Sequence, residues 1–295
     1  MPGVRSAALL LLLALPSPAL AHGDGHGGWA PDPPVSAPLL LLLLLYVVGA
    51  CRLWLRSGGG RERIRSGALL FVSGWAMLAA ALASPLDTAG ARSFTLHMIE
   101  HELVMLPAAL LLVLARPGPA LLWALPAGAR SALGGAAARL RAPWRAITEP
   151  VTATVLQAIA MIAWHLPPLF ERALAGRAWH IAQHGSFLLT ALLFWWAMAH
   201  ARTDRSGFGL AALCLFVTSL IGGALGALMS FASSPWYATY AAMGMTPSGL
   251  TPIEDQQLAG LLMWIPGGLF HAAAALTFLY FWLKASETRH EAPAL

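Results

Sequence analysis

Two histidines and two glutamates open an apolar run in Thr95-Leu96-His97-Met98-Ile99-Glu100-His101-Glu102-Leu103-Val104-Met105, which continues to Ala115. These side chains can ligate a metal or move a proton. His97 and His101 are one helical turn apart, so both imidazoles project from one face, about 6 Å apart along the axis. An ionisable group at the centre of a bilayer costs roughly 2.5–3.5 kcal/mol even on lenient insertion scales, so such a cluster is paired, functional or both. Two imidazoles on one face make a two-point clamp for an ion whose other ligands come from neighbouring helices. The same pair has a plain structural use if each ring hydrogen-bonds to backbone.

The elements that must position these rings are membrane helices. Of 295 residues, 58% are hydrophobic and 11% charged, against roughly 25% charge in a soluble domain. The apolar residues fall in runs of about 20, enough to cross lipid. The expected class is all-α, a polytopic membrane helical bundle of seven transmembrane helices after a cleavable signal peptide. Residues 1–21 read as that peptide, with Arg5, an apolar core over Ala7–Leu15, and Ala19-Leu20-Ala21 as cleavage site. Residues 22–35 read as a flexible extracytoplasmic tail and 36–284 as the transmembrane domain. Its spans lie near 36–55, 67–84, 95–115, 150–168, 179–200, 208–232 and 257–283, and 285–295 form a cytoplasmic tail. With residue 22 outside, fourteen Lys and Arg fall in inner segments and three (Arg92, Arg172, Arg177) in outer ones. That bias puts the N-terminus outside and the C-terminus in the cytoplasm of a bacterial-type inner membrane. The net charge of +5 is therefore topological, and the partner it implies is the lipid bilayer, with no nucleic acid. The basic stretch 131–141 is either a helix lying on the anionic leaflet or a solvated loop. Cys51 and Cys214 have no CxxC spacing and read as packing residues.

Placed by depth, the histidines cluster. His165 ends the fourth span on the outer side, and His180 and His184 repeat the i,i+4 spacing at the outer start of the fifth. With His97 and His101 they give five imidazoles in one layer about two turns thick. His271 lies about fourteen residues into the seventh span, after Pro266-Gly267-Gly268, which can open the backbone and shift its depth. Acidic neighbours on the outer side are Asp87, Glu100, Glu102 and Asp255; Asp87 and Asp255 are equally suited to capping helices or pairing with Arg92. Gln183 and the carboxylates could orient the rings. Cleavage at residue 21 would expose His22 and His26 on the mature tail, a further chelating pair. The metal ligands expected are therefore His97, His101, His165, His180 and His184. His271, Glu100, Asp87, Asp255, His22 and His26 stand in a second rank. Imidazole-rich sites suit copper, zinc, iron or haem rather than magnesium or calcium. The ten methionines count as ligands only beside a histidine.

Ser84-Pro85-Leu86-Asp87, His97-Met98-x-x-His101, His165-Leu166-Pro167, His180-x-x-x-His184, Trp195-Trp196 and Asp255-Gln256-Gln257-x-x-Gly260-x-x-Met263-Trp264 follow in order along the chain. Together they resemble the caa-type CtaG family of integral-membrane cytochrome c oxidase assembly factors, over about residues 36–284. The resemblance implies a part in building the copper centre of a haem–copper oxidase, with copper as cargo and oxidase subunits as partners. It carries over His97, His101, His165, His180 and His184. Glu100 departs from the polar amide associated with that position, and His271 has no place in the pattern. The first reading is thus a metallochaperone or assembly factor, not an enzyme. A haem- or di-metal-binding membrane enzyme or electron carrier is the alternative. A metal transporter ranks last, because the inner halves of the spans are apolar apart from Gln157, Thr218 and Ser219.

Overall fold

The computed structural model describes residues 32–200 and 205–290, with side chains placed over 32–200 and 206–286. The expected signal peptide, His22 and His26, and residues 291–295 of the tail lie outside the described residues. Every regular element among the described residues is a helix. Six helices are long and apolar enough to cross a membrane, and seven when one broken pair is counted as a single span.

Helix α1 (Pro33–Arg56) starts on two prolines that occupy first-turn positions, where no backbone donor is needed. A glycine turn leads to α2 (Arg61–Leu82), and the short α3 (Pro85–Gly90) is capped by Ser84, whose Oγ accepts from Leu86 N. The central rod follows: α4 (Phe94–Leu103), a π turn (Val104–Ala108) and α5 (Ala109–Leu114). Pro107 inside the π turn has no N–H to give, which loosens the local ladder. This rod is 61% buried over its most apolar window, more than any of the other five helices that are long enough to cross alone, and so forms the axis of the bundle.

Three short helices, α6 (Gly118–Ala124), α7 (Ala127–Arg139) and α8 (Arg141–Ile147), cover the expected basic stretch. That stretch is helical, and neither α7 nor α8 buries a residue. α9 (Pro150–His165) meets α8 at 64°, across a break where the Glu149 carboxylate accepts from Thr152 N. The fourth span was expected to reach Pro168, but the helix ends at His165. Leu166 precedes Pro167 and is extended, as the proline ring requires. α10 (Pro167–Ala175) then turns the chain into α11 (Arg177–Ala199).

α12 (Arg205–Ser230), α13 (Ala238–Met243) and α14 (Pro252–His290) complete the chain. α14 was expected to end near 283, yet it runs on to His290 without a break, because no proline or glycine follows Gly268 until Pro293. It also continues through Pro266, so the backbone does not open there as expected. α12 and α14 touch backbone to backbone at Gly226 and Gly260, where an added Cβ on Gly260 would lie 2.5 Å from the Gly226 carbonyl oxygen. Such small-residue contact is a normal way for membrane helices to associate.

The chain alternates between two ends. Asp32 pairs with Arg177, setting the start of α1 beside the start of α11. At the opposite end Arg52 Nη1 donates to the carbonyls of Trp123 and Ala124, at 3.1 and 2.8 Å. Around the bundle, Leu40, Leu44, Leu69, Leu189, Phe216, Leu220, Leu269 and Leu276 are exposed, the apolar girdle that lipid requires. Cys51 is exposed, Cys214 is buried, and both are free.

Candidate metal centre

The first turn of α4 is fixed from 160 residues away. Asp255, on the first turn of α14, accepts from Ser93 Oγ (2.8 Å), Phe94 N (2.6 Å) and Thr95 N (3.2 Å), while its backbone carbonyl accepts from Thr95 Oγ1 (2.9 Å). These are the orphan donors of a helix start, satisfied by a neighbouring helix rather than by a local cap alone. His97 follows one turn later with its ring against Phe170, and His101 one further turn on against Phe187.

On α11, the start opposite, His180 and His184 face the same space. Ring centroids are 4.3 Å apart for His97–His101 and for His180–His184. Across the gap they are 5.6 Å for His97–His180, 5.9 Å for His97–His184 and 5.0 Å for His101–His184. His97, His180 and His184 each offer a nitrogen such that all three lie within 4.8 Å of one another. Nitrogens bound to one ion at about 2.0–2.1 Å sit roughly 3.3–4 Å apart, so a small inward movement of the rings would suffice.

A second group overlaps the first. Asp87, Glu100 and His180 also bring ligand atoms within 4.8 Å. Asp87 Oδ1 is 3.9 Å from His180 Nδ1, and Glu100 Oε1 is 3.5 Å from His184 Nδ1. Exposure falls steadily inward: the His180 side chain is 27% exposed, His101 1% and Glu100 0%. His180 and Asp87 therefore stand at the mouth, on a cavity of about 250 Å³ that Leu39, Asp32 and Arg177 also line.

The buried polar atoms here lack protein partners. His97 Nε2, both nitrogens of His101, His165 Nε2, His184 Nε2, both oxygens of Glu100 and the Gln183 amide make no hydrogen bond. Buried polar groups are normally satisfied, so this concentration of bare nitrogens and carboxylate oxygens fits a cation. Oxygen-loving ions suit it poorly, and copper, zinc or iron suit it well.

The remaining expected residues divide. His165 is buried, its Nδ1 2.6 Å from the Met161 carbonyl, so Nδ1 carries the proton and Nε2 is bare. It lies within electrostatic range of His97 and His101 and shares Phe187 with the latter; like His101, it joins neither close donor group. Asp255 is committed to capping. His271 stands apart, its ring stacked on Trp195 at 5.9 Å.

Two functional neighbours were not anticipated. Tyr240 Oη donates to the Gly90 carbonyl at 2.7 Å, and Tyr237 Oη to the His165 carbonyl at 2.9 Å. Burial, with the Glu171 charge second, pushes the Tyr237 phenol up; burial, then Asp255, does the same for Tyr240. Both remain donors at ordinary pH and lock α3 and the end of α9 around the site. The one signal for them was that two of only four tyrosines fall in the single connection 231–251.

Among known proteins, the family model described as cytochrome c oxidase caa3 assembly factor (Caa3_CtaG) matches residues 44–285, more than half of the chain. No curated protein and no solved structure matches the chain.

Proposed function

Since the chain belongs to the cytochrome c oxidase caa3 assembly factor family, we propose that it holds a copper ion as cargo and passes it to an oxidase subunit during assembly. The observation that carries this reading is the convergence of His97, His180 and His184 within 4.8 Å, with bare buried nitrogens on His97 and His184. His97 and His184 supply the buried part of the centre, and the His101 ring packs against both. His180 and Asp87 are the exposed part, where a partner's ligands can reach the ion. The overlap of the two donor groups at His180 suits handover by stepwise ligand exchange, because one side chain serves both the deeper and the shallower position.

The arginine distribution supports a histidine end that faces the outside of a bacterial-type inner membrane, with the C-terminus in the cytoplasm. An assembly role needs no turnover at the site, so the protein is read as a carrier rather than an enzyme. Metal analysis of the purified protein with an optical spectrum tests the reading. Copper bound by the wild type and lost from His97→Ala and His184→Ala supports it. A haem Soret band, or copper retained by both variants, overturns it.

A further inference from the structure

Below the histidine layer a second set of donors converges. On the central rod the one-turn series His97, His101 continues to Met105. On α9 the series His165, Met161, Gln157 descends in the same way, and on α14 Met263, Gly267 and His271 follow suit. Four-residue spacing keeps each series on about one face. Their lower members line a cavity of about 20 Å³, room for one water-sized occupant. Met105, Met161, Met263, His271, Gln157 and Glu102 are among the residues that line it, side chains that carry thioether, imidazole, amide and carboxylate groups.

Several of these groups are unsatisfied. His271 Nδ1 lies 2.9 Å from the Gly267 carbonyl, which can only accept, so Nδ1 carries the proton and Nε2 keeps its lone pair. Gln157 Nε2 reaches Met105 Sδ at 3.6 Å, while Gln157 Oε1 and Glu102 Oε2 are buried without a partner. No ion pair involves Glu102 among the described residues. Its carboxylate enters because residue 267 is glycine, where a Cβ would lie 2.7 Å from Glu102 Oε2. Polar groups at such depth are costly unless something meets them.

We propose that this cavity is a second metal site, separate from the histidine centre, for a soft monovalent cation of the copper(I) class. Thioether with imidazole is a soft donor set that selects copper(I) over zinc, magnesium or calcium. The volume admits a bare ion and excludes a hydrated one. One carboxylate against one positive charge leaves the apolar interior neutral, whereas a divalent ion would not. The condition set by the sequence, that methionines count only beside a histidine, is met here by His271. The assignment depends neither on the oxidase role nor on the histidine centre.

The test loads full-length protein, purified in lipid nanodiscs, with copper(I) alone under anaerobic conditions. Bound copper is counted and its ligands are identified by X-ray absorption. Three forms are compared: wild type, the His97→Ala/His184→Ala pair, and Met105→Leu/Met161→Leu/Met263→Leu, which conserves side-chain volume. Wild type should show sulfur scatterers. The histidine pair should keep a sulfur-ligated equivalent, and the methionine triple should lose it while keeping nitrogen-ligated copper. Sulfur absent from the wild type, or undiminished in the triple, overturns the site. Should the triple not fold, the histidine pair decides, because loss of its sulfur signal also overturns the proposal. Failure of the histidine centre alone reads differently: wild type and histidine pair would then give the same sulfur-ligated spectrum.

Discussion

Replacing Asp255 with Ala should damage the histidine centre without touching any of its ligands. The Asp255 carboxylate accepts two backbone N–H groups and one hydroxyl at the start of α4, in a place where it is 2% exposed. Ser93 Oγ can turn to another acceptor, but the Phe94 and Thr95 amides cannot. Leaving two buried donors unmet, at about 1–3 kcal/mol each and with partial relief from water near the membrane surface, gives a loss of about 2–4 kcal/mol. Asp255→Asn keeps one oxygen but turns an N–H toward a donor, so it should cost less, about 1–2 kcal/mol. Thermal unfolding in detergent, followed by tryptophan fluorescence, reads the stability. Copper affinity should fall only in proportion to the fraction of molecules whose α4 start is undocked. Wild-type stability in Asp255→Ala would refute the claim that α14 holds the histidine helix in place.

Other outcomes follow from particular contacts. Gly260→Val should destabilise the α12–α14 pair by about 1–3 kcal/mol or more, since its Cβ meets the Gly226 oxygen at 2.5 Å, and the unfolding midpoint reads it. Arg177→Ala should change stability by less than about 1 kcal/mol, because its pair with Asp32 is largely exposed. It should nonetheless speed copper release to a chelator, since the pair stands on the cavity that reaches His180. A cytoplasm-only reporter fused at Leu295 should be active; silence there, with activity for a fusion in the 231–251 connection, would reverse the orientation.

Much of this architecture is legible in the chain because its cues are local. Apolar runs of membrane length mark the spans, and the i,i+4 histidines must share a face wherever a helix carries them. Depth counted from the span ends brought His97, His101, His180 and His184 to one layer, and the structure places their rings together. What stayed hidden is set by tertiary contact. Nothing near Asp255 shows that its partner is the start of α4 rather than an ion or Arg92. His165 shares the layer, but Phe187 and the Met161 carbonyl set its ring beside the closest group rather than in it. The depth of His271 depends on whether Pro266 breaks α14, and that helix runs through the proline unbroken. Met105, Met161 and Met263 stand on three different elements, so the cavity they share is set by tertiary contact.

Copper delivery from the histidine centre to an oxidase, as proposed, is open to test in cells. The most direct measurement is the metal content of the oxidase assembled, under copper limitation, in cells whose sole copy of this protein carries His184→Ala. The variant should still insert, because α11 keeps its apolar length of 23 residues. The oxidase is predicted to accumulate with haem but without its active-site copper, and to regain part of its activity when copper is supplied in excess. Full copper occupancy of the oxidase in those cells would contradict the delivery role.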